Sequence, residues 1–143
     1  MSKEHPEDRK FNYNDPVFEK QRQYLNRISR EDLNKLFEIY EQLKAIGYDH
    51  VFMNGKHFHK LHKLIYDLKI IFDFKWATWD DGWKDIYNSN YDYSESSLLE
   101  LSMYLTTIFR ADRFSEGTIE ENFRNGTLDK IFERMLHLTS PRA

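Results

Sequence analysis

The chain has 143 residues, of which 31% are charged and 16% aromatic, and 21 Lys and Arg against 24 Asp and Glu give a formal net charge of −3. This length fits one domain with an ordinary hydrophobic core. A charge so near balance argues neither for nor against nucleic-acid binding. The absence of cysteine excludes disulfides, thiolate metal sites and a cysteine nucleophile.

Residues 1–10 are polar and charged, and they lack the apolar stretch of a secretory signal. No run of apolar residues reaches the roughly 18 that suggest a membrane-spanning helix. We therefore expect a cytoplasmic protein that does not enter a membrane. Composition divides the chain into a disordered tail over residues 1–12 and a single helical domain over residues 13–140.

Start signals and apolar periodicity predict three helices in the first half of the chain. Asp15 and Pro16 suit an N-cap and the first helical position, because proline has no N–H to lose there. Ser29 marks a second start, and Gly47 can end that helix in the left-handed conformation. Apolar residues at steps of three and four predict helices near residues 16–28, 30–46 and 56–72.

The aromatic segment after residue 70 predicts a fourth helix and allows one short extended piece. Residues 72–76 alternate apolar and polar side chains and are the one place where a short extended segment could form, since strand content is expected to be negligible. A helix interrupted by Gly82 should follow, because four apolar residues recur at helical steps. Core packing is favoured for this stripe over an aromatic ligand box. The stripe comprises Trp76, Trp79, Trp83 and Ile86.

Three further helices are expected near residues 98–111, 114–123 and 127–138. Ser97 and Glu100 fit a capping box at the start of the first of them. The last helix should bury one apolar face, formed by Leu128, Ile131, Phe132 and Met135. The sequence therefore predicts an all-α, compact single domain of five to seven helices.

A motif in the C-terminal half carries a family resemblance. It reads Tyr104-Leu105-Thr106, a spacer, then Arg110-x-x-Arg113-Phe114-x-x-Gly117. Upstream stands Phe72-Asp73-Phe74-Lys75-Trp76-Ala77-Thr78-Trp79, and downstream come Glu120-Glu121, Gly126-Thr127 and a closing helix from Leu128 to Leu136. Over about residues 72–138 these elements resemble an uncharacterised family of small bacterial and phage proteins, a domain of unknown function. The resemblance implies a helical fold and a bacterial or phage origin, and it implies no reaction.

Arg110 and Arg113 are the main candidates for a ligand site, because residues three apart share one helical face. Together with Phe114, Gly117 and the start of the next helix, they could hold a phosphate or a carboxylate. The structural alternative, which we expect first, is that the arginines pair with carboxylates and Phe114 fills the corner between two helices. The carboxylates within reach on that hypothesis are Glu116, Glu120, Glu121 and Asp85.

Other charged clusters receive simpler interpretations. Lys56, Lys60 and Lys63 form an alternative nucleic-acid surface on the third predicted helix. No metal site is expected nearby, because these lysines would repel a divalent cation from the histidines between them. Those histidines are His57, His59 and His62.

The acidic residues near the fourth and fifth helices are expected to be a solvated charge run rather than catalytic carboxylates. They are Asp80, Asp81, Asp85 and Glu100. No catalytic residue is assigned and no cofactor is expected, because neither a nucleophile elbow nor a Gly-rich phosphate loop occurs.

The sequence favours a small non-catalytic helical protein that binds or regulates a protein partner. In a phage or mobile-element setting, it could inhibit a host system. The alternative is an accessory protein that binds anions or nucleic acid through Arg110 and Arg113. An enzyme is the least favoured class, and the oligomeric state stays open.

Overall fold

The computed structural model describes residues 11–47 and 56–139, and within these ranges the chain is helical and contains no strand. The helices are α1 (Pro16–Leu25), α2 (Arg30–Ile46), α3 (Lys56–Asp67), α4 (Asp80–Tyr87), α5 (Leu98–Ala111), α6 (Thr118–Arg124) and α7 (Thr127–Thr139), with short 3-10 turns at Trp76–Thr78 and Tyr93–Glu95. The predicted all-α domain of five to seven helices is confirmed. None of the helices in the described ranges has the length and apolar character needed to cross a membrane.

Three of the predicted helix starts are confirmed by side-chain caps. Asp15 Oδ1 accepts a hydrogen bond from the Val17 amide at 3.0 Å, and Ser29 Oγ accepts one from the Asp32 amide at 3.1 Å. At α5 the capping box is complete, since Ser97 and Glu100 each accept a bond from the other's backbone N–H. Each cap satisfies amide donors that the first helical turn leaves without a partner.

Helix α5 is the centre of the domain. It contacts α1, α4, α6 and α7, and eleven of its fourteen residues are buried. A helix that is apolar all round can only be stable when other elements cover every face. Three buried serine and threonine residues interrupt its apolar surface: Ser102, Thr106 and Thr107.

The segment after α3 is irregular, and the short extended segment considered at residues 72–76 does not form a strand. Ile70, Ile71 and Phe72 are buried. The Ile70 amide donates to the Ile65 carbonyl of α3 at 3.2 Å, and two further backbone groups of this segment bond to side chains of α5. Ser102 Oγ donates to the Ile70 carbonyl, and the Phe72 amide donates to Thr106 Oγ1 at 3.2 Å. From α1, Gln21 Nε2 donates to the Lys69 carbonyl at 2.8 Å. Side chains of two helices thus hold this segment in place.

The predicted fourth helix is split by the structure. Trp76 lies in a 3-10 turn, Trp79 lies between the two elements, and α4 begins at Asp80. Gly82 does not interrupt α4 but lies inside it, buried against the indole of Trp79. The prediction that all three tryptophans are core is wrong, because Trp79 is buried whereas Trp76 and Trp83 are half-buried at the surface.

Helix α7 confirms the predicted buried face, because Leu128, Ile131, Phe132 and Met135 are all at most 2% exposed. Phe132 stacks on Tyr40 of α2 with ring centroids 4.3 Å apart. Other boundaries differ from the predictions: α1 ends at Leu25, α3 ends at Asp67 and α6 begins only at Thr118. The disordered tail was expected over residues 1–12, and residues 1–10 of it lie outside the described residues. Phe11 itself packs on the core, beside Phe18 and Phe74.

Candidate binding surface

Arg110, in the last turn of α5, is held by contacts within the domain. Its Nη2 lies 3.1 Å from Asp73 Oδ1, and its guanidinium lies 5.7 Å from the ring centroid of Tyr66. Arg110 pairs with Asp73 rather than with the predicted Asp85, Glu116 or Glu120. Its side chain is 26% exposed and that of Asp73 is 94% exposed. The charge of Arg110 is therefore paired with a carboxylate of the domain surface. Its Nε is buried and has no hydrogen-bond partner among the described residues.

Arg113 and Phe114 are both exposed, in the turn that follows α5. Within the described part of the chain, Arg113 forms no ion pair. The corner between α5 and α6 is instead fixed by Asp112, whose Oδ1 accepts bonds from the Gly117 and Ile119 amides, each at 3.1 Å. The expectation that Phe114 fills this corner is wrong, since its side chain is 83% exposed.

The backbone conformation at residue 117 explains why a glycine stands there. Gly117 precedes α6 with φ of 101°, a left-handed conformation that residues with a Cβ rarely adopt. Nothing lies within 4 Å of the position a Cβ would take. Of the four predicted ligand-binding residues, Arg113, Phe114 and Gly117 therefore lie in one turn, while Arg110 is committed to Asp73.

Four aromatic side chains form a continuous row on the surface, which we call the aromatic row. Phe114 lies against Trp76, with ring centroids 6.0 Å apart, and Trp76 lies against Trp83 at 6.2 Å. Trp83 stacks on Tyr87 at 5.7 Å, and Tyr87 is 79% exposed. The row thus ends in two largely solvated rings, although aromatic side chains normally gain most by burial.

Sequence reasoning named Phe114 as a site candidate and placed Trp76 and Trp83 on one stripe, for which it favoured core packing over an aromatic ligand box. It did not connect this stripe with Phe114, and it did not include Tyr87. The available signal was the i, i+4 spacing of Trp83 and Tyr87, which predicts that the two rings meet on α4. Trp76 and Phe114 join them only through the tertiary fold, since they lie 38 positions apart in the chain.

Both signs of charge border the aromatic row. Lys75 precedes Trp76, Lys84 follows Trp83 and Arg113 precedes Phe114, and all three cations are exposed. Exposed carboxylates occur in the same segment at Asp80 and Asp81. This mixture resembles the polar rim of a protein interface more than a phosphate-binding stripe.

Two of the acidic residues considered as catalytic carboxylates, Asp81 and Asp85, accept hydrogen bonds from tyrosines of the domain. The Tyr104 hydroxyl donates to Asp85 Oδ2 at 2.6 Å, and the Tyr13 hydroxyl donates to Asp81 Oδ2 at 2.7 Å while accepting a bond from Trp79 Nε1 at 2.9 Å. Burial, followed by the bond to Asp81, raises the pKa of Tyr13 to about 12. Burial and then the bond to Asp85 raise the pKa of Tyr104 far above its ordinary value. Both tyrosines therefore act as neutral donors.

The predicted basic face on α3 is only partly described. Lys60 and Lys63 are exposed, and Lys63 Nζ lies 2.7 Å from Asp67 Oδ2. The side chains of Lys56 and His57 lie outside the described residues. His59 is exposed, whereas His62 packs against Tyr66 and Phe109, with centroids 4.8 and 5.7 Å away. Burial, followed by the charge of His59, lowers the pKa of His62.

Two comparisons with known proteins, one with curated proteins and one with solved structures, give no match. A third comparison, with protein-family models, matches residues 23–140 to DUF6508, a family of unknown function. The match begins well before the motif at residues 72–138, so it also includes α2 and α3. Because it covers most of the chain, this protein belongs to the DUF6508 family.

Proposed function

We propose that this protein is a non-catalytic binding or regulatory module that acts on a protein partner, and that the aromatic row contacts this partner. The observation that carries the proposal is the row itself: four adjoining rings, with Phe114 and Tyr87 largely solvated at its ends. Contiguous exposed apolar patches on soluble domains often mark sites of interaction with another molecule.

The composition of the row supports a protein as the partner. Aromatic residues are enriched in protein interfaces, and Trp and Tyr are the residues that most often dominate binding energy there. Rings already stacked on one another lose little conformational freedom on binding, because ring contacts on both sides already restrict Trp76 and Trp83. The mixed charges around the row favour a protein over a polyanion.

The proposed biological setting is a phage or other mobile element of bacteria, in which the partner would belong to a host system that this protein inhibits. This setting derives from the sequence resemblance alone. The cytoplasmic location predicted from the sequence stays a prediction.

The test is partner identification followed by a binding measurement with row variants. The full chain is used to isolate partners from its native host, and each protein identified is purified and titrated against the parent by calorimetry. Tyr87→Lys and Phe114→Lys should each weaken binding at least about tenfold, which corresponds to about 1.4 kcal/mol. Both positions are so exposed that their replacement should leave folding intact.

Leu138→Lys is the matched control, because it also places a lysine at an exposed apolar position but lies at the end of α7, outside the row. It should bind the partner as the parent does. If both row variants also retain parental affinity, the aromatic row is not the contact surface and the proposal fails. Isolation of nucleic acid instead, with affinity falling steeply as salt is raised, would favour the alternative function.

That alternative, an anion- or nucleic-acid-binding accessory protein using Arg110 and Arg113, draws its support from one observation: Arg113 is exposed beside Phe114 and forms no ion pair within the described chain. Arginine and an aromatic ring together suit single-stranded nucleic acid. It predicts that phosphate or short oligonucleotides raise the melting temperature of the parent but not of Arg113→Ala.

A further inference from the structure

A second concave site lies away from the aromatic row, between α7 and the loop that precedes α5. It is an open groove of about 730 Å³, with Asn90 to Ser94 on one side and Lys130, Arg134 and His137 of α7 on the other. Its volume falls in the range of roughly 300–1,000 Å³ that is usual for small-molecule sites. The predicted site residues do not include any residue of this groove.

Two cations of α7 are fixed in the groove by bonds to backbone carbonyls. Lys130 Nζ donates to the Ser89 carbonyl at 2.9 Å, and Arg134 Nε donates to the Ser96 carbonyl at 3.0 Å. Both side chains are half-buried, and neither forms an ion pair with a carboxylate in the described part of the chain. Carbonyl oxygens orient these cations but, being uncharged, do not form an ion pair with them. Among the described residues only the Nε of Arg134 is used, so its Nη groups remain as donors.

The opposite wall offers a flat apolar surface. Tyr91 is half-buried, and its hydroxyl lies 3.4 Å from that of Tyr104. Its ring also packs edge-to-face on Tyr93, with centroids 4.7 Å apart. These contacts hold the ring of Tyr91 in place on the groove wall. Leu136, which is 45% exposed, also lines the groove.

Two carboxylates restrict which anions would fit. Asp92 accepts a bond from the Ser94 amide at 2.9 Å, a contact that together with nearby Lys130 lowers its pKa, so it stays charged. Glu133 lines both this groove and a neighbouring hollow of about 410 Å³ beside Lys44 and Asp129. Two cations and two carboxylates make the groove neutral as a whole. A long polyanion is therefore disfavoured, whereas one compact anionic group near Lys130 and Arg134 is accommodated.

We propose that this groove binds a small aromatic acid, that is, a ring bearing one carboxylate or phosphate group. The anionic group would lie at Lys130 and Arg134, and the ring would lie against Tyr91 and Leu136. This site is independent of the aromatic row and of the proposed protein partner.

The test is a titration of the ¹⁵N-labelled full chain with three probes that share a ring: benzoate, phenyl phosphate and uncharged benzyl alcohol. Benzoate or phenyl phosphate should cause saturable amide shifts confined to residues 90–94 and α7, and added potassium chloride should weaken them. Whichever anion binds more tightly identifies the ligand as a carboxylate or a phosphate. If benzyl alcohol shifts the same amides to the same extent, or if neither anion gives saturable shifts, the proposal is wrong.

Three variants test the charges. Lys130→Gln should weaken binding of the better anion at least about tenfold, whereas Lys63→Gln, which removes a lysine on α3, should not change it. Asp92→Asn should tighten binding, because it removes a negative charge while Asn keeps an oxygen for the Ser94 amide. Parental affinity in both groove variants overturns the proposal. Because Asp92→Asn gains rather than loses affinity, a lowered stability of Lys130→Gln cannot account for both results.

Discussion

Gly82 lies directly against the indole of Trp79: a Cβ added at residue 82 would come within 2.1 Å of a ring carbon. Gly82→Ala should therefore lower the free energy of unfolding by about 1–3 kcal/mol through overpacking. The steric cost must exceed the gain of about 1 kcal/mol that alanine normally brings inside a helix. The measurement is the denaturant midpoint. Lys84→Ala, at an exposed position of the same helix, is the control and should change little; a stabilised Gly82→Ala would show that Trp79 moves away without cost.

Tyr104→Phe should destabilise the domain although it removes only one oxygen. The Tyr104 hydroxyl is the donor that Asp85 Oδ2 accepts at 2.6 Å, and its loss leaves a half-buried carboxylate without that partner. The expected cost is about 1–3 kcal/mol, measured by chemical denaturation. Tyr87→Phe removes a hydroxyl from a ring that is 79% exposed and should be neutral. Equal stability of the two variants would contradict a structural role for the Tyr104–Asp85 bond.

The two arginines of the motif should behave differently. Arg110→Ala removes the ion pair with Asp73 and the contact with Tyr66, and it should cost about 1 kcal/mol, because Asp73 is almost fully solvated. Arg113→Ala should melt like the parent. The melting temperatures of both variants test this difference. Arg110→Lys, the conservative substitution, should lose less stability than Arg110→Ala. A larger loss in Arg113→Ala would restore the structural role that the sequence first suggested for it.

His62 should make stability depend on pH in the acidic range. Its pKa is lowered in the folded state by burial and then by His59, so the folded protein favours neutral His62. The stabilisation is complete above the unfolded pKa of about 6.5 and is lost as pH falls through the folded value. Proton NMR should show His62 titrating below about pH 6.5. In His62→Phe, the loss of stability on acidification should become smaller, whereas an unchanged pH dependence would rule out this contribution.

Local signals were enough to predict much of the fold. The caps at Asp15, Ser29 and Ser97 and the buried face of α7 depend on residues within one or two turns of each other, and all of these are confirmed. The failures involve partners distant in sequence. The sequence places residues 68–72 in the third helix, but this helix ends at Asp67. Side chains of Ser102 and Thr106 on α5 bind the backbone of Ile70 and Phe72, which the local sequence does not indicate.

The candidate surfaces were harder to predict for the same reason. Arg110 pairs with Asp73, 37 positions away, because the segment after α3 runs along α5; nothing near Arg110 in the sequence indicates this. Helical periodicity assigned Trp76 and Trp83 to the core with Trp79. The helix at this place has only eight residues, and it directs one face to the core, so Trp76 and Trp83 stay half-buried at the surface. Periodicity identifies which side chains share a face, but the rest of the fold decides whether that face is covered.

The aromatic row is assembled from three separate parts of the chain: the 3-10 turn with Trp76, helix α4 with Trp83 and Tyr87, and the turn with Phe114. Such a discontinuous epitope exists only in the native state. No linear peptide cut from this sequence should reproduce it, and a ligand that recognises all four rings must discriminate against the unfolded chain. By mass action, a partner at 100 times its Kd would then add about 2.7 kcal/mol to the stability of the domain. Protection from proteolysis would therefore report occupancy of the row without any labelled ligand.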